Sequence, residues 1–200
     1  MNQLLHKFPM PIATPRLIIR PPQLNDALAV HAAILESFEE LHQFMPWAQE
    51  KQSIEATEDF IRTAVANWIL QRNEEPYLPL FIFDSTTQDF VGATGYHHFD
   101  WTIPCLEVGY WIRSSRSGNG LMTEAVNALT QYAFKELQVK RIAITCDTHN
   151  IKSKNIPERL GYSLEGELKY NRRTNDNQIS NTYIFARYNL DDMPKLEITW

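Results

Sequence analysis

Apolar residues recur along this chain at two alternating spacings, every second position in some runs and every third or fourth in others, and that alternation predicts its elements. Arg16-Leu-Ile-Ile-Arg20 predicts a short strand, and Asn25 or Asp26 caps a helix with Leu28, Ala32 and Leu35 among its apolar positions. A second helical piece covers Phe38 to Phe44 and ends by Pro46, with Trp47 beyond. Ser53 opens a longer amphipathic helix in which Phe60, Ala64 and Trp68, flanked by Ile61, Val65 and Ile69, turn toward a core.

Three strands follow, Tyr77 to Phe83, Phe90 to His98 and Cys105 to Ile112, separated by polar turns that suit an antiparallel meander. A helix from Leu121 to Leu137 places Ala125, Leu129, Tyr132 and Ala133 on one face. The strand Arg141 to Cys146 then returns after a short connection, which makes one β-α-β unit with parallel strands. A short helix from Ser153 stops at Gly161, and a last hairpin runs from Tyr162 to Arg173 and from Asn181 to Asn189 around Thr174 to Asn177.

Between the third of those strands and the long helix lies Ser117-Gly-Asn-Gly-Leu121. Gly118 and Gly120 let the backbone turn its amides inward, and the helix start beyond them offers unpaired N–H groups and a partial positive charge, which together suit a diphosphate. The letters match neither a P-loop, which needs Gly-Lys-Ser/Thr, nor a dinucleotide fingerprint, which needs a third glycine where Thr123 stands. Alone, a Gly-x-Gly is more often an ordinary strand-to-helix turn.

Composition narrows the picture. With 200 residues and 44% apolar content the chain can bury one substantial core, so a single domain over 1–200 is expected, with a core of 14–189 and terminal extensions of 1–13 and 190–200. A net charge of -5 argues against a duplex-DNA partner. It suits a cationic one such as an amine, or simply solubility. Residues 1–14 lack a signal-peptide pattern and no run approaches a membrane span, so the expected location is cytoplasmic, without a membrane or nucleic-acid partner. Cys105 and Cys146 read as buried reduced thiols, and the scattered histidines give no metal-ligand spacing, so no metal is expected.

The segment from Glu107 to Ala125, the Asp147-Thr-His-Asn150 turn, the Asn150-x-x-Ser153 spacing and Pro157-Glu-Arg-Leu-Gly-Tyr162 together resemble the GNAT superfamily of acetyltransferases. Within it the chain is similar to the RimJ/RimL type, which acetylates N-terminal α-amines of ribosomal proteins. The opening Thr14-Pro-Arg-Leu-Ile-Ile-Arg-Pro21 and Leu164-Glu-Gly166 carry the same likeness. The resemblance implies an α+β fold: a mostly antiparallel sheet of about seven strands, one central parallel pair splayed apart, and helices on both faces. It also implies acetyl-CoA as cosubstrate, an amine acceptor and a possible homodimer.

Carried over position by position, it implies that the backbone of Trp111 and Ile112 holds the pantetheine arm while the amides of Ser117, Gly118, Asn119, Gly120 and Leu121 cradle the diphosphate. Asn150 would contact the arm from the other side. Ser153 falls beside the thioester sulfur, where a hydroxyl can protonate the departing thiolate, although a helix N-cap is an equal reading. Three positions depart from the pattern. Ser117 replaces a usual Gln or Arg, with Arg116 beside it as a substitute charge or a solvated side chain. Met122 stands where a small residue is common, and Asn171 and Arg172 occupy a stretch that carries a carboxylate in some relatives.

The general base is then Glu107 or His97, on adjacent strands, with loop anchoring and a partly exposed strand histidine as the plainer readings of each. Strand alternation sends His97 and His98 to opposite faces. Removing the proton of an α-amine with pKa near 8 costs about 1.4 kcal/mol at pH 7, against about 4.6 kcal/mol for a lysine. A weak or water-relayed base therefore favours α-amines. Phe38 and Trp47, with Phe44 and Met45, either line the acceptor groove or pack the core. A small amine such as a polyamine or antibiotic is the alternative acceptor, and a binding module without turnover the alternative function.

Overall fold

The computed structural model describes residues 8–70 and 77–200. Residues 1–7, which begin the stretch read for a signal peptide, lie outside them. Eight strands form one sheet in the order β1-β2-β3-β4-β5-β6-β8-β7. They are β1 (Ile12–Ala13), β2 (Leu17–Arg20), β3 (Tyr77–Asp84), β4 (Phe90–Asp100), β5 (Cys105–Ile112), β6 (Arg141–Asp147), β7 (Ser163–Arg173) and β8 (Ile179–Arg187). All neighbours pair antiparallel except β5 and β6. The strand beyond the expected seven is β1, too short to leave a periodicity in the sequence. Its Ala13 exchanges two main-chain hydrogen bonds with Thr199, of 2.8 and 3.0 Å, so the segment read as a terminal extension takes part in the sheet.

Five helices cover the two faces: α1 (Ala27–Glu36), α2 (Phe38–Phe44), α3 (Ile54–Leu70), α4 (Leu121–Lys135) and α5 (Ile151–Arg159). The α1 helix packs on α3 and β4, and α3 on β3; α4 packs on β2, β5 and α5. Register and parity decide which side chains meet which layer. On β5, Leu106 and Val108 point to the α4 side and join Val126, Leu129 and Tyr132 in the main core. Tyr96, opposite Val108, reaches the same layer and donates its hydroxyl to the Leu129 carbonyl at 2.9 Å. The odd residues Glu107, Gly109 and Trp111 therefore face α1 and α3.

Two expectations about α1 need correction. Its buried residues are Ala27, Val30, Ala33 and Ile34, whereas Leu28 and Leu35 are exposed. The helix is apolar nearly all round, so periodicity alone cannot choose its inner face. Asp26 holds the N-cap position of α1 but does not cap it with its side chain: the carboxylate accepts from Arg20 at 2.7 Å and from the Gln23 N–H at 2.7 Å, closing the short 3-10 turn before the helix. In α3 the inner stripe is Thr57, Ile61 and Ala64, which leaves Phe60 half exposed and directed elsewhere.

The α4 helix is buried on nearly every side, because residues 190–200 cover the face that the sheet does not. Asn127 donates to the Pro194 carbonyl at 2.8 Å, Gln131 to the Leu196 carbonyl at 3.2 Å, and Trp200 meets the Tyr132 ring edge-on. No described helix is long and apolar enough to cross a membrane. Leu129 is 0% exposed at the centre of this layer. Leu129→Ala is expected to lower unfolding free energy by about 3 kcal/mol, from lost transfer energy and the cavity left behind, as read by urea denaturation.

Candidate active site

The parallel pair is short. Its register runs Cys105↔Arg141, Leu106↔Ile142, Glu107↔Ala143 and stops, while both strands continue. Arg113 donates its N–H to the Val91 carbonyl, which fixes the odd residues of β5 as those hydrogen-bonded to β4. The even residues turn their main-chain groups toward β6, and past Glu107 those of Tyr110 and Ile112 meet no strand. Trp111 was expected to share this role with Ile112, but its carbonyl faces β4, 2.4 Å from where a Cβ on Gly92 would stand. Alternation gives that place to Tyr110.

A cavity of about 780 Å³ occupies the fork and reaches both faces of the sheet. On the α1 and α3 face it is lined by Glu107, His97, Trp111 and Trp47; on the α4 and α5 face by Tyr110, Cys146, Asn150 and Ser153. Glu107 sits at the vertex, where its Oε1 accepts from the Thr145 hydroxyl at 2.6 Å. Of the two readings of Phe44 and Met45, the structure bears out the groove: both line the cavity. Phe38 does not: it packs on the His42 ring with the Lys51 ammonium above it.

Ser153 is the third residue of α5 and not its cap. Asn150 is the N-cap, its Oδ1 accepting from the Ser153 N–H at 3.0 Å. The Ser153 hydroxyl is thus left for another use, and donates to Tyr110 Oη at 3.3 Å, while Tyr110 donates back to the Ser153 carbonyl at 3.0 Å. This reciprocal contact spans the opening between β5 and α5. Sequence reading missed Tyr110, whose only signal was a parity opposite to that of Glu107. Burial holds the Tyr110 hydroxyl well above its usual pKa and pushes the Cys146 thiol up to about 11, so both keep their protons at neutral pH.

At the other end of β5 a 3-10 turn, Ser114–Arg116, leads into the glycine loop. Gly118 and Gly120 have φ of 83° and 74°, and a Cβ on Gly118 would meet nothing within 4 Å, so that position faces open space. Gly120 caps α4 without a side-chain bond, which leaves the first-turn amides unspent. The loop is held from outside by the N-terminal strand. Arg16 donates to the Asn119 carbonyl at 3.0 Å and to Glu124 at 2.6 Å, and Thr14 donates to the same carboxylate at 2.6 Å. The Thr14-Pro-Arg16 segment, noticed only as a resemblance, therefore anchors this loop. Arg116 is neither solvated nor turned to the loop, because it pairs with Asp89 and approaches Asp84 at 3.9 Å. Met122 is turned into the core and does not crowd the approach. Unpaired main-chain groups along β5, free amides at α4 and a glycine facing space fit an extended diphosphate-bearing thioester such as acetyl-CoA.

His97 and His98 both line the cavity, contrary to simple alternation. The β4–β5 register shifts between His97 and Asp100, and His98 adopts φ 46°, so a bulge returns it to the same side. The His97 ring stacks on Tyr77 at 4.3 Å, and burial lowers its pKa to about 4. It is neutral at working pH. Opposite, the hairpin β7–β8 holds the segment after α2. The Asn175 amide lies within 2.9, 2.9 and 3.2 Å of the His42, Met45 and Ala48 carbonyls, and Arg172 donates to the Phe44 carbonyl at 3.0 Å. Arg172 also faces the buried Asp147 at 3.4 Å. Among the described residues, no group of three or more His, Cys, Asp or Glu side chains is arranged to hold a metal.

Residues 16–163 match the acetyltransferase (GNAT) domain model. The ribosomal-protein-serine acetyltransferase of Escherichia coli is 25% identical over 77% of this chain and 89% of its own length. The ribosomal protein uS5-alanine N-acetyltransferase of the same organism is 26% identical over 79% of this chain and 80% of its own. A solved structure described as a ribosomal L7/L12 α-N-protein acetyltransferase in complex with coenzyme A superposes with a TM-score of 0.79 at 21% identity, covering 90% of this chain and 97% of that one. That last likeness speaks for the fold alone.

Two outcomes follow from this geometry. Arg16→Met frees the Asn119 carbonyl and Glu124 together, and coenzyme A affinity measured by calorimetry should fall roughly tenfold, with loss of one charge-assisted contact set. His97 has its folded pKa depressed below the ordinary 6.5, so the unfolded chain binds more protons between pH 6.5 and about 4. Its contribution is complete above pH 6.5 and is lost as pH falls toward 4. Urea titrations at pH 7.5 and 4.5 should show the wild type losing about 2 kcal/mol more than His97→Phe.

Proposed function

The chain belongs to the GNAT acetyltransferase family, whose enzymes take the acetyl group from acetyl-CoA, and on that premise we propose that its acceptor is the N-terminal α-amine of a protein. The cytoplasm is the compartment in which we place that acceptor. The observation that carries the proposal is the division of the cavity by the sheet. Glu107 lies on one face and the Ser153–Tyr110 pair on the other, with the fork between them. An acceptor and a thioester can approach from opposite sides and meet only there.

Bound acetyl-CoA supplies an activated acyl carbon. What the chain supplies is position and proton transfer. The main-chain groups of Tyr110 and Ile112 hold the arm, the unspent amides from Ser117 to Leu121 receive the diphosphate, and the Asn150 amide nitrogen reaches the arm from α5. Glu107, directly or through a water, takes the proton of the amine, and its hydrogen bond from Thr145 fixes the carboxylate. Ser153, oriented by Tyr110, delivers a proton to the leaving sulfur. His97, neutral and stacked on Tyr77, shapes the acceptor side without titrating. One unassisted carboxylate is adequate for an α-amine, whose deprotonation costs about 1.4 kcal/mol at pH 7, and much less so for a lysine at about 4.6 kcal/mol. Two relatives, a ribosomal-protein-serine and a ribosomal-protein-alanine acetyltransferase, support the same reading.

The test offers acetyl-CoA with peptides bearing a free α-amine, α-blocked peptides bearing lysine, and spermidine, and follows coenzyme A release together with product mass. Acetylation of the first set alone is expected. Exclusive turnover of spermidine would overturn the reading. Glu107→Gln should lower kcat about a hundredfold at unchanged coenzyme A affinity, and raising pH should partly rescue it as more amine becomes neutral. Ser153→Ala and Tyr110→Phe should lower kcat by similar amounts, about tenfold each. Their double variant should be little worse than either, because the two act as one unit.

A further inference from the structure

The cavity extends well beyond Glu107, and the chemistry of the extension differs from that of the fork. Three rows of residues cross β3, β4 and β5 on the α1 and α3 face. They are Tyr77–His97–Glu107, Pro79–Gly95–Gly109 and Phe81–Ala93–Trp111. The middle row carries two glycines, and the rings of the first row lie over them. A Cβ on Gly109 would stand 2.8 Å from His97 Nε2, and one on Gly95 would stand 3.1 Å from Tyr77 Cε2. The floor beyond Glu107 is therefore the edge of this stacked ring pair, followed by Ala93 and Trp111.

Val30 and Ile34 from α1 and Ala56 and Phe60 from α3 form the walls, and Trp47 stands 6.2 Å from Trp111 at the mouth. Charged side chains lining the cavity, Glu107, Asp147, Arg172 and Arg173, belong to the fork and to the strands beyond it, not to this recess. Trp111 lies four positions along β5 from Glu107, so the recess runs roughly 13 Å from the reaction point. A terminal alanine or serine would leave it empty. Phe60, half exposed on α3 while that helix buries Ile61 and Ala64 instead, is a large ring kept at the recess with no core role.

We infer that this recess receives the first side chain of the acceptor, and that it selects a large, uncharged, apolar or aromatic one over the serine or alanine in the names of the relatives. The inference rests on the α-amine reading above and adds the identity of the leading residue. The cost of leaving a roomy apolar recess unfilled, or of placing a charge in it, supplies the discrimination.

The experiment compares kcat/KM for peptides identical except for a first residue of Ser, Ala, Leu, Phe or Lys, in the wild type and in two variants. Ala56→Phe, on an exposed helix position, fills the recess. Phe60→Ala removes one wall. The wild type is expected to prefer Phe and Leu over Ser and Ala by at least tenfold and to reject Lys. Each variant should reduce that ratio to about twofold, and the ratio is insensitive to any general loss of active enzyme. Equal rates for all first residues would overturn this inference and leave the α-amine reading standing. A preference kept by both variants would overturn it as well. Turnover of spermidine or of lysine side chains with no peptide terminus acetylated would overturn the α-amine reading and this inference with it.

Discussion

Everything in the site depends on a parallel ladder that stops after three residue pairs. Main-chain groups in a sheet interior are ordinarily consumed by the neighbouring strand, and an unpaired one is costly to bury. Here β5 and β6 part at Glu107 and Ala143, and the main-chain groups of Tyr110 and Ile112 on that side are left without a strand to pair with. Side chains keep the strands from closing. Thr145 and Glu107 meet across the vertex, and Tyr110 and Ser153 bridge the wider part of the opening with two reciprocal hydrogen bonds. The sheet is thus interrupted by design, with polar side chains replacing the ladder at fixed separation.

The interruption also sorts side chains by parity. Odd residues of β5 and β6 face α1, α2 and α3, and even residues face α4 and α5. Glu107 and Asp147 therefore belong to one chamber, and Tyr110 and Cys146 to the other, although the members of each pair are close in sequence to residues of the opposite chamber. The Glu107 carboxylate and the Tyr110 hydroxyl are kept apart by the thickness of a strand. No long loop is needed to do it.

The sequence disclosed the elements well, because β3, β4, β5 and β6 are compact apolar or alternating runs bounded by polar turns and the glycine loop has a strong local requirement. It disclosed less where several apolar faces compete, as on α1, or where one residue alters parity, as the bulge at His98 does. The roles of Asn150 and Ser153 could not be separated from letters alone, since both side chains suit a helix cap and only the observed start of α5 at Ile151 decides between them. Contacts between distant segments were invisible: Arg16 with Asn119, Asn175 with three carbonyls in the last turn of α2 and just after it, and the C-terminal cover on α4. None leaves a periodic trace. Each joins polar groups more than 60 residues apart, and in each the decisive partner is a carbonyl that any residue type would provide.

The pairing of Ala13 with Thr199 has a consequence for association between molecules. It occupies the outer side of β1, so that margin of the sheet offers no template for an incoming strand. The opposite margin, β7, is interrupted by two register shifts and by Tyr170 at φ 54°. An added strand would lose its alignment within a few residues there. Fibril-like growth by edge addition is disfavoured at both ends of the sheet, at one by occupancy and at the other by irregularity.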